Sequence, residues 1–209
     1  MRTRVKICGI TRGEDAAAAV SAGADAIGLV FFARSPRNVT VERACEIAAE
    51  VPAFVTVTGL FVNAEAAFVD AVLDKVPLGL LQFHGSESGE ECRRHGLPYI
   101  KAAGIDGVAD FEQFAATYHD AAGLLLDSHA AGEVGGTGKT FDWTRFPTSS
   151  PLPLILAGGL KPDNVAAAIT AVKPYAVDLS SGVESAPGIK DAGRIRMLMN
   201  EVKRVDCER

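Results

Sequence analysis

The sequence predicts an α/β protein, a single-domain (β/α)8 TIM barrel that spans residues 1–209. Short β-rich runs alternate with longer helical patterns eight times along the chain. Most of these runs are continuously apolar, which is typical of parallel strands that are covered on both faces. Barrels of this kind need at least about 200 residues, and no linker rich in proline, serine or glycine divides the chain. A doubly wound open sheet is the alternative that the pattern leaves open.

Eight predicted strands are each bounded by glycine, proline, aspartate, serine or asparagine, as strand ends tend to be. Apolar residues at helical spacing fill the segments between them. Thr11 and Glu14 have the spacing of a capping box at the start of the first helix. Residues 141–146 allow only a short helix, and residues 191–205 form the last one. The predicted strands lie at 5–10, 26–31, 54–62, 78–85, 98–104, 122–128, 153–159 and 176–182.

The composition favours a globular enzyme and argues against several other classes. Hydrophobic residues make up 48% of the chain and charged residues 22%, which suits a large apolar core. The net charge of −5 and the lack of a long basic run argue against a nucleic-acid partner. The N-terminal sequence MRTRVKICGI lacks the apolar region of a signal peptide. No stretch is apolar for long enough to predict a membrane span, so we expect a cytoplasmic protein.

The four cysteines are scattered and form no CxxC pair, which argues against a zinc site and against a disulfide scaffold. We therefore expect reduced thiols and no bound metal. Cys207 lies in a polar tail and should react freely. Cys45 lies beside an apolar helix stripe and should react slowly, whereas Cys92 lies among charged residues of a probable surface helix and should be intermediate.

In a barrel of this type, function is found where the strands end. The first strand ends at Cys8, whose thiolate can act as a base or nucleophile, although a small buried hydrophobe is the competing interpretation. The sixth strand ends at Asp127, directly after three leucines. A carboxyl group in such apolar surroundings suits a general acid. A turn or helix-capping aspartate is the alternative.

Two further strand ends carry cationic or titratable side chains. Arg34 and Arg37 follow the second strand, and an arginine fork can bind a carboxylate or phosphate through two hydrogen bonds. For Arg34 a solvated surface position is the better interpretation. His84 ends the fourth strand and could donate to an anion or shuttle a proton. A structural histidine that bonds to the backbone is an equally open interpretation.

Three glycine-rich segments follow the last strands. Residues 130–143 resemble a P-loop, but Glu133 stands where the motif requires glycine, so we predict a lid over an anion instead of a nucleotide site. The loops after the seventh and eighth strands frequently form a phosphate site from backbone N–H groups. Glycine there allows close approach, and serine adds a hydroxyl donor. The predicted phosphate-binding residues are Gly158, Gly159, Ser180, Ser181 and Gly182.

Taken together and in order, these segments resemble the phosphoribosylanthranilate isomerases of tryptophan biosynthesis. The resemblance covers nearly the whole chain, and the combination of KICGIT, LLQFHG and GGTGxxFDW is highly specific. The family fold is the (β/α)8 barrel. The matching segments are KICGIT (6–11), GLVFFARSPR (28–37), GLFVN (59–63), LLQFHG (80–85), LLLDS (124–128), GGTGKTFDW (135–143), LAGGLKPDNV (156–165) and DLSSGVESAPGIKD (178–191).

The resemblance implies an Amadori rearrangement without a cofactor. N-(5-phosphoribosyl)anthranilate becomes 1-(2-carboxyphenylamino)-1-deoxyribulose 5-phosphate. By the same resemblance Cys8 is the general base and Asp127 the general acid. Arg37 lies near the anthranilate end, and His84 lines the site. The sequence departs from the family at Lys161, where a threonine often begins the seventh helix; Asp163 or a water could take over that cap.

Other interpretations remain open. Another phosphate-binding barrel enzyme, such as a sugar-phosphate epimerase or indole-glycerol-phosphate synthase, would share the last two loops. The epimerase needs several metal ligands at strand ends, where only His84 is available, and the synthase needs a catalytic lysine, for which Lys6 and Lys101 are candidates. A thiol sensor built on Cys8 would need a resolving cysteine. A non-catalytic phosphosugar-binding module is the last alternative, and either a monomer or a homodimer is expected.

Overall fold

A computed structural model describes residues 2–127 and 145–208, and its centre is a closed barrel of eight parallel strands. Each strand pairs with the next, and β8 pairs with β1. The predicted (β/α)8 barrel is therefore confirmed, and the open sheet is wrong. The strands are β1 (Arg4–Cys8), β2 (Ala26–Val30), β3 (Thr56–Phe61), β4 (Leu80–Phe83), β5 (Tyr99–Gly104), β6 (Gly123–Asp127), β7 (Leu154–Ala157) and β8 (Ala176–Leu179).

Helices surround the barrel, and their apolar faces pack against the outer face of the strands. Among the described residues there is no helix that is long and apolar enough to cross a membrane. The lid predicted at residues 130–143 lies outside the described residues, and the short helix predicted at 141–146 lies almost wholly outside them. The helices are α1 (Gly13–Ala22), α2 (Val41–Ala49), α3 (Ala66–Leu73), α4 (Gly89–Arg93), α5 (Phe111–Thr117), α6 (Val165–Val172) and α7 (Ala192–Cys207).

β1 and β7 end earlier than the apolar runs predicted, because glycines turn the backbone away from the barrel. Gly9 has a φ of 74°, Gly158 of 87° and Gly159 of 62°, all in the left-handed region that favours glycine. The backbone therefore leaves the sheet directly after β1 and β7. These turns form part of the rim at the carboxyl ends of the strands.

Two helix starts differ from the expected capping. The capping box predicted from Thr11 does not form, because the first helix is preceded by Arg12 and the Thr11 hydroxyl donates to the Gly188 carbonyl. A true capping box begins α4 instead. There the Glu91 N–H donates to the Ser88 hydroxyl at 3.3 Å, and the Ser88 N–H donates to the Glu91 carboxylate at 2.7 Å.

The segment that leads into α6 is held by an asparagine. The Lys161 N–H donates to the Asn164 side-chain oxygen at 2.9 Å, and the Asn164 amide donates to the Gly159 carbonyl at 3.0 Å. Asp163 instead lies 3.6 Å from the Lys161 ammonium. Asn164 precedes α6 but makes no side-chain cap bond to it; its side chain instead braces the turn after β7.

A short antiparallel hairpin follows β8 and was not predicted from the sequence. It consists of β9 (Glu184–Ala186) and β10 (Ile189–Lys190). Its first and last residues, Glu184 and Lys190, are buried charged groups. Because the hairpin comes directly after a barrel strand end, it brings two charges to the rim that the (β/α)8 pattern alone does not supply.

Candidate active site

A cavity of about 400 Å³ opens where the carboxyl ends of the strands meet. It brings together eight of the nine residues that the sequence assigned to the site; Gly182 is the exception. The predicted residues that line it are Cys8, Arg37, His84, Asp127, Gly158, Gly159, Ser180 and Ser181. Its volume is typical of sites that enclose a small organic ligand.

Cys8 ends β1 and forms part of the cavity wall, although its residue surface is only 5% exposed. It packs with Val30 and Leu60 in a small apolar cluster. Burial raises the pKa of the Cys8 thiol, and the nearby Lys6 ammonium opposes that shift. The cysteine is therefore a buried group that also faces the ligand space.

A buried ion pair lies beside this thiol. The Lys6 ammonium donates to the Asp178 carboxylate at 2.8 Å, and both side chains are less than one-tenth exposed. Burial disfavours the charge of Lys6, but Asp178 outweighs it, so the pKa of Lys6 is raised. From the sequence, Lys6 was considered only as a candidate catalytic lysine, and Asp178 was not identified. Side chains alternate along β1, so Lys6 and Cys8 lie on the same face, and this alternation was the signal that places Lys6 beside Cys8.

Asp127 and His84 stand on two other strand ends of the cavity. Both are half-buried. The Gln82 amide nitrogen lies 3.1 Å from His84 Nδ1. Burial lowers the pKa of His84, and the negative charge of Asp127 partly counters this effect. A lowered pKa favours the neutral ring, and a ring whose Nδ1 accepts from the Gln82 amide carries its proton on Nε2, which can donate to an oxygen of a ligand.

Arg37 is held by a carboxylate from the hairpin. Its Nε and Nη2 donate to the two oxygens of Glu184 at 2.8 and 2.7 Å, a bidentate pair. Glu184 also accepts from Lys190 at 2.7 Å. These two cations outweigh the effect of burial and lower the pKa of Glu184. Arg34 is exposed, as the sequence predicted, but it also lines the cavity, which the surface interpretation did not anticipate.

Lys190 connects this cluster to the loop after β8. Its ammonium donates to the carbonyl and the hydroxyl of Ser180 at 3.2 and 3.3 Å. Glu184 and Lys190 were both missed by sequence reasoning. No local sequence pattern indicates that the hairpin folds back onto the rim of the barrel. The contact between Arg37 and Glu184 could therefore not be predicted.

The two predicted phosphate loops touch one another. A Cβ added to Gly182 would lie 1.9 Å from the Leu160 carbonyl oxygen and 3.1 Å from the Lys161 Cα. Gly182 therefore does not line the cavity but allows the loop after β8 to pack against the loop after β7. The lining itself comes from Gly158, Gly159, Ser180 and Ser181, as predicted.

Gly182→Val should weaken binding of a phosphorylated product analogue, because the added bulk separates the two loops. Affinity is measured by titration calorimetry, and circular dichroism checks that the barrel remains folded. Gly107→Val is the control, since a Cβ at Gly107 meets nothing within 4 Å. Equal affinity of the two variants would show that the phosphate is bound elsewhere.

Arg37→Ala should raise KM more than Arg34→Ala does. Loss of a charge-assisted contact to a ligand carboxylate costs about 1.5–3 kcal/mol, which corresponds to roughly tenfold or more in KM. Arg34 provides the matched control, because it lies in the same loop and lines the same cavity, but from an exposed position. Steady-state kinetics of both variants test this assignment, and small, equal changes would contradict it.

Burial of the other thiols agrees with the expected order for Cys207 but exchanges Cys45 and Cys92. Cys207 is exposed, and Cys45 is half-buried with its thiol 3.3 Å from the Lys75 carbonyl. Cys92 is fully buried, and burial raises its pKa to about 12. The intermediate reactivity expected for Cys92 is therefore wrong, because α4 turns this residue toward the core.

The second lysine candidate lies away from the cavity. Lys101 donates to Glu87 and to the Gly85 carbonyl, both at 2.7 Å, in a buried cluster.

Within residues 2–127 and 145–208, no group of three or more histidine, cysteine, aspartate or glutamate side chains is arranged to hold a metal ion.

Sequence comparison assigns nearly the whole chain to one family. The family model described as N-(5'phosphoribosyl)anthranilate (PRA) isomerase matches residues 5–201. A protein of Pseudomonas aeruginosa (strain LESB58) named N-(5'-phosphoribosyl)anthranilate isomerase is 56% identical over 200 residues, covering 96% of this chain and 95% of that protein. One of the same name from Nitrosococcus oceani is 52% identical over 206 residues, covering 99% and 100%.

Solved structures agree with this assignment. Phosphoribosyl anthranilate isomerase from Thermotoga maritima superposes with a TM-score of 0.85 at 43% identity, covering 97% of this chain and 99% of that one. A structure of such an isomerase in complex with reduced 1-(o-carboxyphenylamino)-1-deoxyribulose 5-phosphate gives a TM-score of 0.81 at 41% identity, with the same coverage. The chain belongs to the N-(5'-phosphoribosyl)anthranilate isomerase family.

Proposed function

We propose that the cavity at the carboxyl ends of the strands is the active site of this isomerase of tryptophan biosynthesis. There N-(5-phosphoribosyl)anthranilate is converted into 1-(2-carboxyphenylamino)-1-deoxyribulose 5-phosphate. One observation carries the proposal: a thiol and a carboxyl group from two separate strands, Cys8 and Asp127, line one cavity together with two glycine-containing loops. The reaction needs an acid, a base and a phosphate site, and this cavity offers all three.

The chemistry assigns a role to each of the two groups. Asp127 protonates the ring oxygen of the ribose, so that the ring opens to a Schiff base. Cys8 then removes the proton from C2, and the resulting enolamine tautomerises to the ketone. β7 and β8 lie between the strands that carry these residues. This separation allows acid and base to act from different sides of one substrate.

The remaining residues orient the two anionic ends of the substrate. Backbone N–H groups of the loops around Gly159 and Ser181 bind the phosphate. Arg37 binds the anthranilate carboxylate, with its guanidinium plane fixed by Glu184. His84 donates from Nε2 to a substrate oxygen. We propose that no cofactor takes part, because proton transfers alone complete the rearrangement.

A fluorescence assay tests the proposal directly. Phosphoribosylanthranilate is fluorescent, and its signal should fall when the protein is added. Binding of the substrate without loss of fluorescence would indicate a non-catalytic module. Neither binding nor loss would favour another phosphate-binding barrel enzyme, such as indole-glycerol-phosphate synthase.

The assembly and location of the protein are further proposals. One similar structure is described as mutually generated monomers of the dimeric Thermotoga maritima isomerase. For this chain a monomer or a homodimer is expected, and sedimentation velocity distinguishes the two. A cytoplasmic location stays a prediction from the composition, and cell fractionation tests it.

A further inference from the structure

The proposed mechanism does not use the buried ammonium of Lys6, although it lies beside the proposed base. Lys6 and Cys8 are two residues apart on β1, so their side chains share the interior face of the strand. The partner of Lys6, Asp178, lies directly opposite it on β8 in the parallel register. The lysine is thus held from one side by a carboxylate, at 2.8 Å.

Gly28 on β2 shows how close the two side chains come. A Cβ built on this glycine would lie 2.8 Å from the Cys8 Sγ and 3.1 Å from the Lys6 Nζ. Sulfur and ammonium therefore approach the same small space, which glycine leaves open. A larger residue on β2 would push between them or displace one of them.

Among the described residues, charged groups from several elements surround Cys8. Lys6 on β1, Lys190 on β10 and Arg37 in the loop after β2 are the cations. Asp178 on β8 and Glu184 on β9 are the carboxylates that pair with them. Burial outweighs these charges and raises the pKa of Cys8, and among the charges Lys6 has the largest opposing effect, which favours the thiolate.

A buried thiol needs such a neighbour if it is to act as a base. Removal from water disfavours the thiolate, because a low-dielectric environment penalises the charged form. The Lys6 ammonium partly offsets this penalty, in the same way that cationic neighbours activate reactive cysteines in general. A buried ion pair adds little to folding stability, because apolar residues of similar volume would pack the same space at least as well. Stability alone therefore does not explain Lys6 and Asp178.

We propose that Lys6 is a positioning residue for catalysis: its ammonium, oriented by Asp178, stabilises the thiolate of Cys8. The proposal rests on the function proposed above, in which Cys8 is the base. It assigns a task to the lysine of the KICG segment that does not require contact with the substrate.

The test follows the titration of Cys8 in the free protein. The rate of Cys8 labelling by iodoacetamide is measured against pH by mass mapping, which resolves each cysteine. Lys6→Met should move the midpoint to higher pH by about one unit or more. The unpaired Asp178 would itself repel the thiolate, so the double variant Lys6→Met/Asp178→Asn is decisive. It leaves no buried charge without a partner, and its midpoint should stay above that of the unmodified protein.

Lys101→Met is the matched control, because it also removes a buried lysine that lies 2.7 Å from a carboxylate. It should lower stability without moving the Cys8 midpoint. If the double variant titrates like the unmodified protein, or if Lys101→Met shifts the midpoint equally, the proposal is overturned. Turnover of Cys8→Ser tests the proposed function separately. Full activity of that variant would show that Cys8 is not the base, whereas the shift of the Cys8 midpoint reports only on the role of Lys6.

Discussion

Asp127→Asn is expected to lower kcat by at least about 100-fold, the usual scale for loss of a general acid. The amide keeps the size and shape of the carboxyl group, so a product analogue should still bind. It has no proton to transfer to the ribose ring oxygen, so ring opening should become limiting. Steady-state kinetics give the change in kcat, and calorimetry with the analogue gives the affinity.

Asp106→Asn is the matched control for this variant. Asp106 follows β5, the strand next to β6, but its side chain is exposed. Its replacement should leave both kcat and affinity nearly unchanged. A near-normal rate for Asp127→Asn would remove Asp127 from the mechanism, whatever the affinity of the variant.

Cys8→Ser should lower kcat to a similar extent, by about 100-fold or more, because a base is lost. A serine hydroxyl fits the same space but is far too weak an acid to be ionised near neutral pH. Cys207→Ser, at an exposed position in the last helix, should retain full activity. Normal turnover of Cys8→Ser would mean that Cys8 serves core packing only.

Ligand protection gives a second measurement on the same residue. A product analogue should shield Cys8 from iodoacetamide, because the thiol lines the cavity, and Cys207 should be labelled equally with and without it. Loss of activity should follow labelling of Cys8 and of no other cysteine. Equal labelling of Cys8 at saturating analogue would argue against a ligand above the thiol.

The sequence predicted the barrel and most of the cavity because both depend on local patterns. Continuous apolar runs identify parallel strands, and the residues that end them, such as Cys8 and Asp127, must meet at one rim. The number of units favoured a closed barrel over an open sheet, and the pairing of β8 with β1 decides between them. The roles of these residues stay predictions until variants are measured, since their positions alone do not report proton transfer.

The features that were missed depend on contacts between distant parts of the chain. Arg37 meets Glu184 across 147 positions, and Lys6 meets Asp178 across 172. Cys92 was expected to be partly accessible because its neighbours in the sequence are charged, but α4 turns this residue toward the core. Thr11 does not cap α1, because its hydroxyl donates to the carbonyl of Gly188, which is remote in the sequence. In each case tertiary contacts override a local pattern.

The hairpin after β8 makes the two ends of the cavity mechanically continuous. Glu184 holds the guanidinium of Arg37, and Lys190 holds Glu184 and Ser180 together. Each charge in this chain of contacts therefore depends on the next, and removing Glu184 would leave both Arg37 and Lys190 without the carboxylate that they share.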